Sequence, residues 1–400
     1  MKRVLIIVLV VLSFKTHAQL KAGVWRGELI IHDSLSLPFN FDVKGSVLTV
    51  RNGEERIDAP YEKQGDSVYI HMPVFNTVIS AAIFPGLDKV IVGQFVNTTR
   101  KVPYPITFRA EAGASYRFTD RPEKPAGNIT GRWRAKFEEE DPGNEIAVGV
   151  FNQEGARVTG TFLTTSGDYR FLEGELAGTH LSLSAFDGSH AFLFTAEYVN
   201  GKLLNGHFFS GNHGHEMWSA ERDENVKLAD ERSFTSLKPG YSKVDFSFPD
   251  ESGKMISLSD PQFKDKAIII QIMGTWCPNC MDETKYLSNW FNTEAPADVA
   301  IIGLNYERRM DTTYVNAAIR RLKDRYAIKY PILFAGNSDR EAAAKTLPMI
   351  DRIAGFPTTI YIDKKGNVRE IHTGFNGPAT GKLFEEYKVN FKALIEELRK

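Results

Sequence analysis

Apolar positions alternate with polar ones through the first half of the chain, and the period changes near residue 240. Ser67-Val68-Tyr69-Ile70-His71-Met72, Ala156-Arg157-Val158-Thr159-Gly160-Thr161-Phe162 and His180-Leu181-Ser182-Leu183-Ser184-Ala185-Phe186 are runs of the first kind. A period of two places the apolar side chains on one face of a strand. The runs recur about every ten residues, and Asn52-Gly53, Asp187-Gly188 and Asn200-Gly201 between them suit hairpin turns. Residues 20–225 are therefore expected to be antiparallel β structure without a long amphipathic helix. From Tyr241 to Lys400 strands alternate with helices, the pattern of an α/β layer. Strands are predicted over 244–248, 256–259, 267–273 and 299–304, and over 358–362 and 368–372 as a hairpin around Asp363-Lys364-Lys365-Gly366-Asn367. Helices are predicted over 281–291, 340–347 and 384–398, and over 312–326, where Tyr314, Ala318, Leu322 and Tyr326 recur at helical spacing.

The β region repeats itself. Gly23-Val24-Trp25-Arg26-Gly27 resembles Gly131-Arg132-Trp133-Arg134-Ala135, and Val92-Gly93-Gln94-Phe95 resembles Asn205-Gly206-His207-Phe208, both at an offset of about 110 residues. Two related barrel or sandwich units follow, one over 19–122 and one over 127–225, joined near Arg121-Pro122-Glu123-Lys124-Pro125. Trp25 and Trp133, each in a first strand, are expected as core plugs. A polar linker over 226–240 leads to the α/β unit, 241–400.

Residues 1–18 begin with Lys2 and Arg3, continue with an apolar run from Val4 to Leu12 and end in Thr16-His17-Ala18. That is the form of a secretory signal peptide cut before Gln19. The apolar run is too short to span a bilayer, and no cysteine near the cut could carry a lipid. A soluble mature chain, periplasmic or secreted, is expected; an uncleaved anchor is the alternative. The composition, 42% hydrophobic and 25% charged, is that of an ordinary globular protein. A net charge of −1 argues against nucleic acid as a partner.

The chain holds two cysteines, both in Trp276-Cys277-Pro278-Asn279-Cys280. They follow an apolar strand and open a predicted helix, where residues three apart share a face and can close a small disulfide ring. Unpaired N–H groups and the positive end of the helix dipole favour a thiolate on the first. Cys277 is thus the expected nucleophile and Cys280 the resolving thiol. Pro278 suits the first helical turn, and Asn279 offers an amide near the sulfurs. Half of a zinc site is the competing reading, but no further cysteine exists and the first histidine after Cys280 is His372. His207, His213 and His215 lie around a probable turn, Gly211-Asn212-His213-Gly214-His215, where solvated side chains outweigh a metal site. No metal or other cofactor is expected.

Residues 241–400 resemble the thioredoxin-like proteins of the extracytoplasmic TlpA and ResA type. The residues that carry the likeness are Asp260 to Lys266, Gly274-Thr275-Trp276-Cys277-Pro278-Asn279-Cys280, and Gly355-Phe356-Pro357-Thr358-Thr359. The resemblance implies that Pro357 is a cis-proline opposite the disulfide, that the Phe356 backbone pairs with substrate, and that Trp276 and Thr358 flank the substrate. Two positions depart from the pattern. Gln271 stands where thioredoxins carry a buried acid, which makes Glu307, beyond the 299–304 strand, the candidate replacement for proton transfer. Pro278-Asn279 stands where thioredoxins have Gly-Pro, so their potential does not carry over.

These features point to a thiol–disulfide oxidoreductase that reduces disulfides of exported proteins and is recharged by a membrane-borne electron donor. An oxidase or isomerase is the alternative within the same chemistry. A peroxiredoxin-like peroxidase lacks its motif, since Gly274 and Ile270 occupy the positions of its Thr/Ser and Pro. A different class is a binding protein in which the β region is the main functional part.

Overall fold

The structure, a computed structural model, describes residues 19–32, 35–73, 75, 77–84, 89–97, 105–138 and 146–400. The signal segment read over residues 1–18 lies outside them. Eight described strands from Gly23–His32 to Pro105–Ala112 form a closed barrel in chain order. Closure comes from the first strand, whose Trp25 faces Phe41 on one side and Ala112 on the other. Every second residue of that strand turns inward, so Trp25, Leu29 and Ile31 enter the core.

A second closed barrel follows. Its strand Ile146–Glu154 pairs with both Gly131–Phe137 and Arg157–Thr164 and so completes a ring of eight, with a two-residue strand, Gly167–Asp168, appended to the latter. The duplication extends to detail. Both tryptophans are fully buried, and each indole N–H donates to the carbonyl four residues earlier, Trp25 to Lys21 and Trp133 to Ile129, at 2.8 Å in both. The two barrels share a core: Phe186 of the second packs against Phe39 of the first at a tilt of 33° and 4.5 Å and meets Phe95 edge-on at 5.1 Å. Between them Arg117 is buried and donates to Ser184 and Glu173, and loss of solvent lowers its pKa to about 10.

The C-terminal domain is a five-stranded sheet among the described residues, ordered Ile332–Asn337, Val299–Glu307, Ala267–Met273, Thr358–Ile362, Val368–Thr373. The first three run parallel, the fourth runs antiparallel to them, and the fifth is antiparallel to the fourth. The helices Pro278–Thr293, Thr312–Tyr326, Arg340–Lys345 and Lys382–Leu398 surround it.

Three elements depart from the sequence reading. Strand pairing at 244–248 is confined to Ser247–Pro249 with Met255–Ser257; Val244 and Phe246 alternate because they enter the core, not because they join a sheet. The strand expected over 299–304 continues to Glu307. The edge strand Ile332–Asn337 was not anticipated, because its short apolar run carries no period of two. The 226–240 stretch is docked: Lys238 N–H donates to Met349 and Asp351 N–H to Ser236, while Thr235 is buried beside Thr373.

The second barrel wedges into the redox domain with the turn after Arg157–Thr164. Gly377 N–H donates to Asp168 Oδ2 at 2.8 Å. Gly167 (φ +133°) lies so close that a Cβ there would sit 2.2 Å from Asn279 Nδ2. Behind it Arg170 of the same barrel is buried and pairs with Glu55 of the first barrel, with Asp187, and with Asp282 on the redox helix. One cation therefore ties all three domains together.

Candidate active site

The central strand Ala267–Met273 is buried along its whole length and delivers the chain to Gly274 at the sheet edge. Gly274 is required there, because a Cβ would meet Trp276 Nε1 at 2.3 Å and Tyr306 O at 2.7 Å. The turn then places Cys277 as N-cap of Pro278–Thr293, with Pro278 at the first helical position. Cys277 and Cys280 are joined as a disulfide with Cα atoms 5.2 Å apart. Cys277 is 5% exposed and Cys280 is fully buried, so the first sulfur alone borders open space. Cys280 N–H donates to Cys277 Sγ at 3.3 Å, and Phe356 O lies 3.6 Å from the same sulfur. Opposite, the Phe356–Pro357 peptide is cis.

Trp276 donates its indole N–H to Tyr306 O at 2.9 Å, meets Phe356 edge-on at 5.6 Å, and carries Arg308 over its ring at 4.1 Å. Thr358 is fully buried and its hydroxyl donates to Gly355 O at 2.8 Å, which spends that group on the cis-proline loop. The Asn279 amide does not turn to the sulfurs; its Nδ2 approaches Ser166 O of the second barrel at 3.5 Å. Glu307 is not in a loop beyond its strand but is the strand's last residue, 1% exposed. It accepts from Thr275 N–H at 3.1 Å and Thr275 Oγ1 at 2.6 Å, and burial pushes its pKa up.

A second acid, missed in the sequence, lies beneath the disulfide. Glu283 is one helical turn after Cys280 and fully buried. Its Oε2 accepts from Gln271 Nε2 and its Oε1 from Thr359 Oγ1, both at 2.8 Å. Gln271 Nε2 also reaches Cys280 O at 3.3 Å, and its Oε1 accepts from Thr284. Burial pushes the Glu283 carboxyl up to about 7, and the two hydrogen bonds offset only part of that. The i, i+3 spacing from Cys280 was the available signal, since it sets both side chains on one helical face. Among the described residues no group of three potential metal ligands converges; His207 and His215 pair across their hairpin at 3.0 Å, near the barrel surface.

A buried strand, a Cys-x-x-Cys disulfide at a helix start and a facing cis-proline together define a thioredoxin-like redox domain. Comparison with known proteins places it further. The family described as Redoxin matches residues 238–386. "Thiol-disulfide oxidoreductase ResA" of Bacillus subtilis is 27% identical over 139 residues, 35% of this chain and 69% of that protein. "Thiol:disulfide interchange protein DsbE" of Vibrio cholerae is 32% identical over 149 residues, 36% of this chain and 70% of that protein. A solved thiol:disulfide interchange protein of the thioredoxin family from Chlorobium tepidum is 22% identical, covers 41% of this chain and 100% of its own, and superposes with a TM-score of 0.32. The chain belongs to the thioredoxin-like thiol-disulfide oxidoreductases and is an enzyme of that class; the matched residues lie in its C-terminal domain.

Proposed function

We propose that this oxidoreductase works outside the cytoplasm as a reductase of disulfides in exported proteins, through Cys277 and Cys280. The observation that carries the direction is the setting of Cys277 Sγ. Its described contacts are one N–H donor and one carbonyl oxygen. The N–H at the helix start favours a thiolate and the carbonyl dipole opposes it, so the two offset and the reduced form lacks the surplus stabilisation that makes a strong oxidant.

In the reduced enzyme the Cys277 thiolate attacks one sulfur of the substrate disulfide. A Cys277–substrate bond forms and the other substrate sulfur leaves as thiolate. The Cys280 thiolate then attacks Cys277 Sγ and releases the second substrate sulfur, and the two electrons of the dithiol end on the substrate. Protons taken up from water complete the two substrate thiols. A membrane-borne dithiol donor restores the enzyme by the reverse exchange. Glu283, buried one turn below Cys280 and titrating near neutrality, takes the Cys280 proton before resolution. Glu307 steadies the Thr275 backbone at the mouth of the loop and is a second proton-holding group. Phe356 and Pro357 present the backbone edge that holds the substrate segment, with Trp276 beside it and Thr358 bracing the loop.

The test is the equilibrium potential of the pair in glutathione buffers. A value of roughly −270 mV or lower agrees with a reductase. A value near about −120 mV makes the enzyme a disulfide donor and reverses the assignment.

A further inference from the structure

Cys277 borders a cleft of about 390 Å³ between the redox loop and both barrels. Besides Cys277 and Tyr169, the ionisable side chains on its walls are His190, His213, Glu216 and Arg308. Arg308 lies over the Trp276 ring and gives up no proton. His190 is held differently. It ends the turn 187–190 between the strands His180–Phe186 and Ala191–Val199 of the second barrel, and its ring stacks on Phe192 at 4.3 Å. Its Nδ1 faces Asp187 Oδ2 at 3.4 Å. The backbone N–H groups of Ser189 and His190 donate to the other carboxylate oxygen at 2.8 and 2.6 Å, and Arg170 Nε stands 3.4 Å from Oδ2. Burial raises the Asp187 pKa, but His190 and Arg170 outweigh it and bring the value down to about 2, so the carboxylate is ionised at neutral pH. Nδ1 is buried on that side, which leaves Nε2 as the ring nitrogen for the cleft. The pair also abuts the redox helix. Asp187 shares a second hollow with Pro278 and Met281, and Pro278, next to Cys277, borders the cleft with His190 as well.

The geometry points to His190, oriented by Asp187, as the group that protonates the departing substrate sulfur. This rests on the oxidoreductase reading above and adds to it a residue from the second barrel. Thiol–disulfide exchange is an in-line displacement. The departing sulfur therefore lies beyond the attacked one, about 4 Å from Cys277 Sγ and out in the cleft. The Cys277 thiolate forms the new S–S bond, and the substrate S–S bond breaks with its electron pair on the departing sulfur. That sulfur takes the Nε2 proton of the His190 imidazolium. The imidazole then regains a proton from water, with Asp187 as its counter-charge. Glu283 acts in the later step, on the other side of the disulfide. An alkyl thiolate as basic as free cysteine, with a pKa of about 8.5, gains from a proton at neutral pH, whereas a delocalised aryl thiolate does not.

The experiment measures how fast the reduced full-length chain attacks two uncharged disulfides at neutral pH. One is 2-hydroxyethyl disulfide, whose alkyl thiolate needs a proton. The other is 2,2′-dithiodipyridine, whose thiolate charge spreads into its ring. His190→Gln should lower the first rate at least about tenfold and the second less than about twofold; His190→Asn replaces it should that chain not fold. Asp187→Asn keeps an oxygen for the backbone N–H groups of the turn and should shift the ratio of the two rates in the same direction. A structural role slows both disulfides together. Equal losses, or an unchanged ratio in either variant, overturn the proposal, as does a selective loss in His213→Gln in place of His190→Gln. Failure of the native chain to reduce either disulfide overturns the oxidoreductase function itself.

Discussion

Replacing Glu283 by glutamine removes a charge from the interior without removing its hydrogen bonds. The new amide oxygen still accepts from Gln271, and its NH2 can donate to Thr359 Oγ1. In the native protein the carboxyl titrates near 7 against an ordinary 4.5. At about 1.4 kcal/mol per tenfold change in proton affinity, ionising it costs about 3 kcal/mol more in the fold than in the unfolded chain. Below pH 4.5 the acid is neutral in both states and contributes no penalty. As pH rises towards 7 the unfolded chain loses its proton first, and above 7 the full penalty is present. Stability from this group is thus complete at low pH and lost as pH rises. Asp282, pushed up to about 7 by burial, and Glu307 titrate in both proteins and cancel in the difference. Denaturant unfolding of the oxidised redox domain at pH 4.5 and pH 8 should show Glu283→Gln gaining about 3 kcal/mol relative to wild type between the two. A relative gain below about 1 kcal/mol refutes the argument, because the buried carboxyl would then carry no such cost. The same variant should slow release of reduced substrate from a preformed mixed disulfide about a hundredfold. An undiminished rate there removes Glu283 from the proton path.

Cys277→Ser should abolish turnover, and Cys280→Ser should accumulate substrate-linked enzyme visible by intact-protein mass; an empty trap would reverse the roles of the two sulfurs. Gly167→Val forces a side chain against Asn279 at a φ of +133° and should weaken barrel docking by about 2 kcal/mol. Small-angle scattering would then record an expanded particle, and an unaltered radius of gyration counts against the wedge. Arg170→Leu leaves Glu55, Asp187 and Asp282 without their shared cation and should cost about 3–5 kcal/mol. The loss should be larger at pH 8 than at pH 5, where Asp282, pushed up to about 7 by burial, is protonated and needs no cation; melting curves of equal displacement at both would contradict this. Trp133→Ala and Trp25→Ala should each lose about 3–5 kcal/mol, since the two indoles are buried and hydrogen-bonded alike. A large disparity between them would argue that the two barrels are not equivalent.

Local pattern determined more of this protein than its length suggests. A period of two, turn dipeptides and a repeated Trp were enough for two β units, because each barrel strand buries alternate residues and each hairpin closes locally. The redox motif was equally plain, since two sulfurs three apart at a helix start need only the first turn to meet. The Ile332–Asn337 strand escaped because it is a short buried run, and Glu307 was misplaced because its strand runs three residues further than the apolar stretch. Glu283 and Gln271 are 12 positions apart in sequence, and their hydrogen bond exists only because helix and strand pack face to face. Arg170 finds Glu55 and Asp282 across 115 and 112 positions. No periodicity records such partners. Sequence therefore determined the chemistry at Cys277 and Cys280, whose geometry is set within one turn. Only the tertiary structure decided what surrounds them, because long-range burial places an acid below the disulfide and two barrels before it.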